Sequence, residues 1–172
     1  MRYNLKLNFK GLYFYLMVSQ TQIIKGLCSL IERNNTDIRK SKHIVLWDLE
    51  DCTLKEVKTC LEKQQYKYGL SDIFIFSDYP RSYRAICLTQ INFSTLLKII
   101  LENKYIDYNF FYWTVRRSKA TIRYGDKKER PENRIVDILK SDIPYKLPEK
   151  FIFVEYETGL DKIGHTLEIL KT

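Results

Sequence analysis

From residue 43 onward, short apolar runs alternate with stretches whose apolar positions recur three and four apart. "HIVLWDL", residues 43 to 49, is β-branched and aromatic and predicts a strand. "TLKEVKTCLEKQQYKYG" follows, with Thr53 and Glu56 at capping-box spacing. Leu54, Val57, Leu61 and Tyr68 fall near one helical face, so a helix closed by Gly69 is expected. "DIFIFSD" and "SYRAICL" predict two strands joined by the turn "YPR". "NFSTLLKIILENK" predicts a second helix with Asn92 as its cap. "YNFFYWTVRRSKATIRYG" predicts one long strand, or two strands paired around Arg117–Ser118–Lys119.

The order β-α-β-β-α-β is that of the split βαβ unit, so the expected class is α+β with an RRM-like or ferredoxin-like core over residues 43–131. In that arrangement the first and third strands lie side by side, the helices cover one sheet face and the other face stays free. Residues 1–42 predict an N-terminal helix over about 16 to 33 and the polar linker "NNTDIRKSK". Residues 132–172 predict a C-terminal extension packed on the core. It comprises a short helix starting near Pro131, the Pro-punctuated turn "IPYKLPE", a strand "KFIFVEY" and a last strand "HTLEIL".

At 172 residues, 45% hydrophobic and 29% charged, the chain suits one folded domain and excludes a disordered class. The N-terminal apolar run Leu12 to Val18 is seven residues long. About 20 are needed to span a bilayer, so no membrane partner is expected. Cys28, Cys52, Cys60 and Cys87 lack zinc-type spacing and read as small buried thiols of a reducing compartment. A cytoplasmic protein is expected.

Charge changes the picture more. Residues 115 to 134, "VRRSKATIRYGDKKERPENR", hold eight Arg or Lys against three acids, which concentrates +5 of the net +8 in one segment. Such a segment attracts polyanions, nucleic acid first among them, or serves only as a solvated basic hairpin. Arg116, Arg117, Lys119, Arg123, Lys127 and Lys128 are the candidate contacts, and Tyr112 and Trp113 are candidates to stack on bases.

Asp48 and Glu50 are two apart on a strand and share a face. Two adjacent carboxylates repel, and a hard divalent cation relieves that repulsion, with phosphate oxygens completing its shell. Alternatively, the strand ends at Trp47 and the acids sit in a solvated loop or, like Asp51, near a helix N-terminus. Ser82 and Arg84 share one face of the neighbouring strand and offer a hydroxyl and a guanidinium to a phosphate. Asp107 precedes the final strand of the unit and is either a third carboxylate or a turn residue.

An acid pair in "LWDLE", a Ser-x-basic strand in "SYR" and a hydrophobic–Asp pair in "ID" together resemble the three-motif order of the archaeo-eukaryotic primase superfamily. The superfamily includes primase–polymerases and replication proteins of plasmids and phages, and the resemblance covers residues 43 to 131. It implies that Asp48, Glu50 and Asp107 are catalytic and bind Mg²⁺ or Mn²⁺ for nucleotidyl transfer. It also implies that Ser82 and Arg84 face the phosphates of a nucleotide, and that DNA is the partner in preference to RNA. Arg84 stands where the family has His, which leaves phosphate binding intact and puts polymerase activity in question.

Two other classes stay open. One is a non-catalytic RRM-like nucleic-acid-binding module acting as an initiator or regulator; the other is a protein-interaction domain of a mobile element. His43 and His165 have no motif partner, and no His-x-His pattern, P-loop, dinucleotide fingerprint or nucleophile elbow occurs.

Overall fold

The computed structural model describes residues 2–9, 12–19, 23–124, 133–157 and 169–171. Its strands are β1 (Arg2–Phe9), β2 (Leu12–Ser19), β3 (Ile23–Cys28), β4 (Leu30–Glu32), β5 (Lys42–Glu50), β6 (Ile73–Tyr79), β7 (Ser82–Asn92), β8 (Thr121–Arg123), β9 (Arg134–Leu139), β10 (Phe153–Glu157) and β11 (Ile169–Lys171). Its helices are α1 (Leu54–Tyr68), α2 (Phe93–Leu101) and α3 (Tyr108–Arg117). The class is α+β. All pairings among the described residues are antiparallel, in sheets ordered β4-β5-β7-β6-β9 and β11-β10-β3-β8 beside the hairpin β1-β2.

The larger sheet has the first, third and second strands of the split unit, β5, β7 and β6, as neighbours. Strand alternation sends Val45, Trp47 and Leu49 to one face of β5 and Leu46, Asp48 and Glu50 to the other. Val45, Trp47 and Leu49 pack in one buried cluster with Ala85, Cys87, Ile73, Ile75 and the inner residues of α1 and α2. The capping box forms as its sequence predicts: Thr53 N donates to Glu56 Oε2 at 2.9 Å, and Gly69 ends α1 at φ +60°. Buried Gln64 ties the helices together, donating to the Ile99 carbonyl and accepting from Asn103 Nδ2 at 3.1 Å.

The opposite face is covered, contrary to the expectation that it stays free. Leu27, Ile122 and Tyr124 of the smaller sheet and its edge lie over Phe76, Arg84 and Ile86, enclosing a cavity of about 170 Å³. Leu46 has no exposed surface. The segment expected as a helix over 16 to 33 supplies part of that cover, because it forms β2, β3 and β4 instead. Its Val and Ile residues favour a pleated surface, and each of these strands has a pairing partner at hand.

Ser29 is the point where the chain leaves the smaller sheet for the larger. Its amide donates to the Ala120 carbonyl at 2.8 Å, and its carbonyl accepts from Ile44 N at 2.9 Å. Its hydroxyl accepts from Ala120 N at 2.9 Å and lies 3.0 Å from His43 Nδ1. His43 is fully buried, and burial pushes its imidazole down to about 4, so it stays neutral at neutral pH.

Three further expectations are corrected. "YNFFYWTVRR" is helix α3, since Asp107 caps it, Tyr108 and Tyr112 stack four residues apart, and Ser118 closes it at φ +53°. The place of a fourth strand beside β5 is held by β4 at one end and by a single bridge from Ile106 to Leu49 at the other. From Arg134 the chain is a strand paired with β6, where a short helix beginning near Pro131 was expected. Pro131 itself and residues 165–168 of "HTLEIL" lie outside the described residues. Among the described residues no helix is long and apolar enough to cross a membrane.

Ser29→Ala should lower stability by about 1–3 kcal/mol, because it strands the buried Ala120 N–H. Urea unfolding of the two proteins checks this, and an unchanged midpoint would contradict the role given to Ser29.

Candidate nucleic-acid interface

The end of β5 and the start of α3 are joined through the backbone. Glu50 N donates to the Tyr105 carbonyl and Asp107 N to the Asp48 carbonyl, both at 2.9 Å. This short antiparallel contact lays "ID" alongside "DLE" and brings Asp107 to Asp48 although they are far apart in sequence. The Asp107 carboxylate caps α3, accepting from Asn109 N at 2.8 Å, so its turn-and-cap reading is what the local geometry displays.

A cleft of about 580 Å³ opens beside this junction. Asp48 and Asp107 line it together with Asn109, Tyr112, Trp113, Arg117, Lys119 and Thr121. Acidic residues therefore share the cleft with two cations and with the rings of Phe110, Tyr112 and Trp113. Asp107 opens α3 and Arg117 ends it, which separates those two along the helix by about 15 Å at the α-helical rise.

Asp48 is the most perturbed of these groups. Burial pushes its carboxyl up to about 6; Arg84 opposes the shift, and Asp107 and Glu50 reinforce it. Arg123 is a further, weaker opponent. Raising a carboxyl in the folded state makes its contribution to stability most favourable near pH 4 and erodes it as the pH rises toward 6.

Ser82 and Arg84 are not in this cleft. Arg84 faces Asp48 across the β5–β7 register, its Nε 3.8 Å from Asp48 Oδ1, and it is only 5% exposed. Its Nη1 donates to Asn133 Oδ1 at 2.6 Å, and it lines the inter-sheet cavity together with buried Arg123. The two residues expected at a phosphate or polyanion thus sit between the sheets. Ser82 is buried opposite Glu50, whose own position is exposed. The covering sheet explains the outcome for Arg84, while Ser82 is flanked by its strand partners Glu50 and Tyr79.

The basic residues divide similarly. Arg117 and Lys119 line the cleft; Arg116 lies outside it and donates to the Tyr112 hydroxyl at 2.9 Å. The Arg117 guanidinium stands 4.6 Å from the centre of the Trp113 ring, within cation–π range. Lys127 and Lys128 lie outside the described residues. Tyr112 and Trp113 both reach the cleft because they are on a helix, whereas strand alternation would have admitted one of them. Thr121, Asn109 and Thr114 also line it without having been singled out in the sequence. The only available signal for Thr121 was its place just after the basic turn "RRSKA".

Asp48 should titrate near pH 6 when its carboxyl carbon is followed by NMR, and Asp107→Asn should bring that midpoint down while keeping a capping oxygen. A midpoint near 4 in the unaltered protein would contradict the account of this site. No family model matches the chain, and no curated protein or solved structure matches it.

Proposed function

We propose that this chain is a nucleic-acid-binding, replication-type protein with a primase-like palm, engaging DNA through the cleft at the end of β5. The observation that carries this reading is the shared lining of that cleft: Asp48 and Asp107 from the acid motifs, Arg117 and Lys119 from the basic segment, and the rings of Tyr112 and Trp113. Cations attract a phosphate backbone, and aromatic faces take unpaired bases with little regard to sequence. The free cysteines Cys28, Cys52, Cys60 and Cys87, three of them buried, support a reducing, cytoplasmic setting.

A Mg²⁺ or Mn²⁺ ion fits this donor set only with help. Among the described residues no group of three His, Cys, Asp or Glu is placed to hold a metal. Asp48 and Asp107 offer two hard oxygen ligands, which suffices for an ion whose other ligands are substrate phosphates and water. Such an ion would neutralise charge at a transferred phosphorus. The chain's own residues would orient the nucleotide and hold the base against Trp113.

A second reading, a non-catalytic binding module, is favoured by one specific contact. Arg84 sits across from Asp48 and already offsets its charge, which weakens the demand for a cation. Both readings place the polynucleotide in the same cleft.

Reversing charge at Arg117 and Lys119 together should lower the salt slope of single-stranded DNA binding by about 1.4, the amount expected from two lost phosphate contacts. Fluorescence anisotropy across a salt series checks this, and an unchanged slope removes the cleft from consideration. In the unaltered protein, broadening of Asp48 and Asp107 resonances by Mn²⁺ only when a nucleoside triphosphate is present would favour the palm with a bound ion. Absence of broadening would favour the binding module.

A further inference from the structure

The hydroxyl of Thr121 is buried and has no hydrogen-bond partner among the described residues, yet the residue lines the cleft. A polar oxygen kept from both water and protein partners is destabilising, so native structures rarely retain one without a reason. Lys119, two residues earlier, and Arg117 line the same cleft. One hydroxyl and two cations at the C-terminal end of α3 and the start of β8 make a donor set for an oxyanion.

We infer that Thr121, Lys119 and Arg117 form the phosphate subsite of the cleft, an inference that rests on the nucleic-acid reading proposed above. The phosphate is that of a nucleotide, whose base then reaches Trp113 and Tyr112 along the same helix. The assignment moves phosphate recognition away from Ser82 and Arg84, which are buried between strands and sheets. Asp107, at the far end of α3, is kept from the anion by the length of the helix. Rotation about the Thr121 Cα–Cβ bond turns the hydroxyl out of its buried position into the cleft, where the phosphate supplies its missing partner.

The subsite predicts an unusual pairing of effects in Thr121→Val, which removes the hydroxyl and keeps the shape. The ligand-free variant should unfold at the same or a higher urea concentration, since the lost oxygen had no partner. Its affinity for thymidine monophosphate, measured by calorimetry, should fall about tenfold, while its affinity for thymidine, which has no phosphate, should not change. Thr121→Ser should restore the phosphate-dependent binding. A loss seen with thymidine monophosphate marks a free nucleotide as the source; a loss confined to an oligothymidylate marks a strand phosphate. Either supports the subsite. If Thr121→Val binds both probes as the unaltered protein does, or unfolds markedly earlier, the subsite is overturned while nucleic-acid binding stands. If the unaltered protein binds no probe at all, both inferences fall.

Discussion

Two backbone hydrogen bonds, Asp107 N to Asp48 O and Glu50 N to Tyr105 O, determine where the rest of the interesting chemistry sits. They fasten the segment before α3 to the edge of β5, so that the helix starts beside the end of the central strand. They set where α3 begins relative to β5, and Phe110 packs the helix into the core from there. The Asp107 side chain reinforces the same junction by capping the helix it begins. A cap of this kind contributes about 1 kcal/mol, and here it also sets the direction in which Tyr112, Trp113 and Arg117 project.

Electrostatics then follow from enclosure. Asp48 lies between an arginine and two other carboxylates, at a place where burial already disfavours its charged form. Its carboxyl therefore changes protonation close to neutral pH, and a cation arriving in the cleft would displace that proton. Arg84 and Arg123, buried beside each other at the inter-sheet cavity, hold positive charge behind the acid. The cations that line the cleft itself are Arg117 and Lys119. Arg84 and Arg123 between the sheets are thus set apart from Arg117 and Lys119 in the cleft.

Local patterns in the sequence carried the elements of the split unit well. The capping box of α1, its glycine stop, the Pro80–Arg81 turn and the Asn92 cap each depend on residues close in sequence, which is why they could be read. The errors share a different origin. The aromatic run of α3 has strand-like propensity, and its helix is fixed by a cap at Asp107 and by i,i+4 contacts between Tyr108, Tyr112 and Arg116. β3 meets β8 and β10 only through distant pairing, so the sheet that covers Arg84 left no local trace. Of the acids expected to act together, Asp48 and Asp107 line one cleft while Glu50 is exposed and outside its lining, and Thr121 had no motif signal in the sequence. A buried hydroxyl without a partner is a property of three-dimensional packing alone.

The proposed function places polynucleotide along α3 at the end of β5. Photocrosslinking of an oligonucleotide carrying 5-iododeoxyuridine, followed by mass spectrometry of the joined peptides, tests it most directly. Adducts are expected at Tyr112 or Trp113, and adducts appearing only on peptides remote from α3, such as those around Lys146 and Lys150, would contradict that placement.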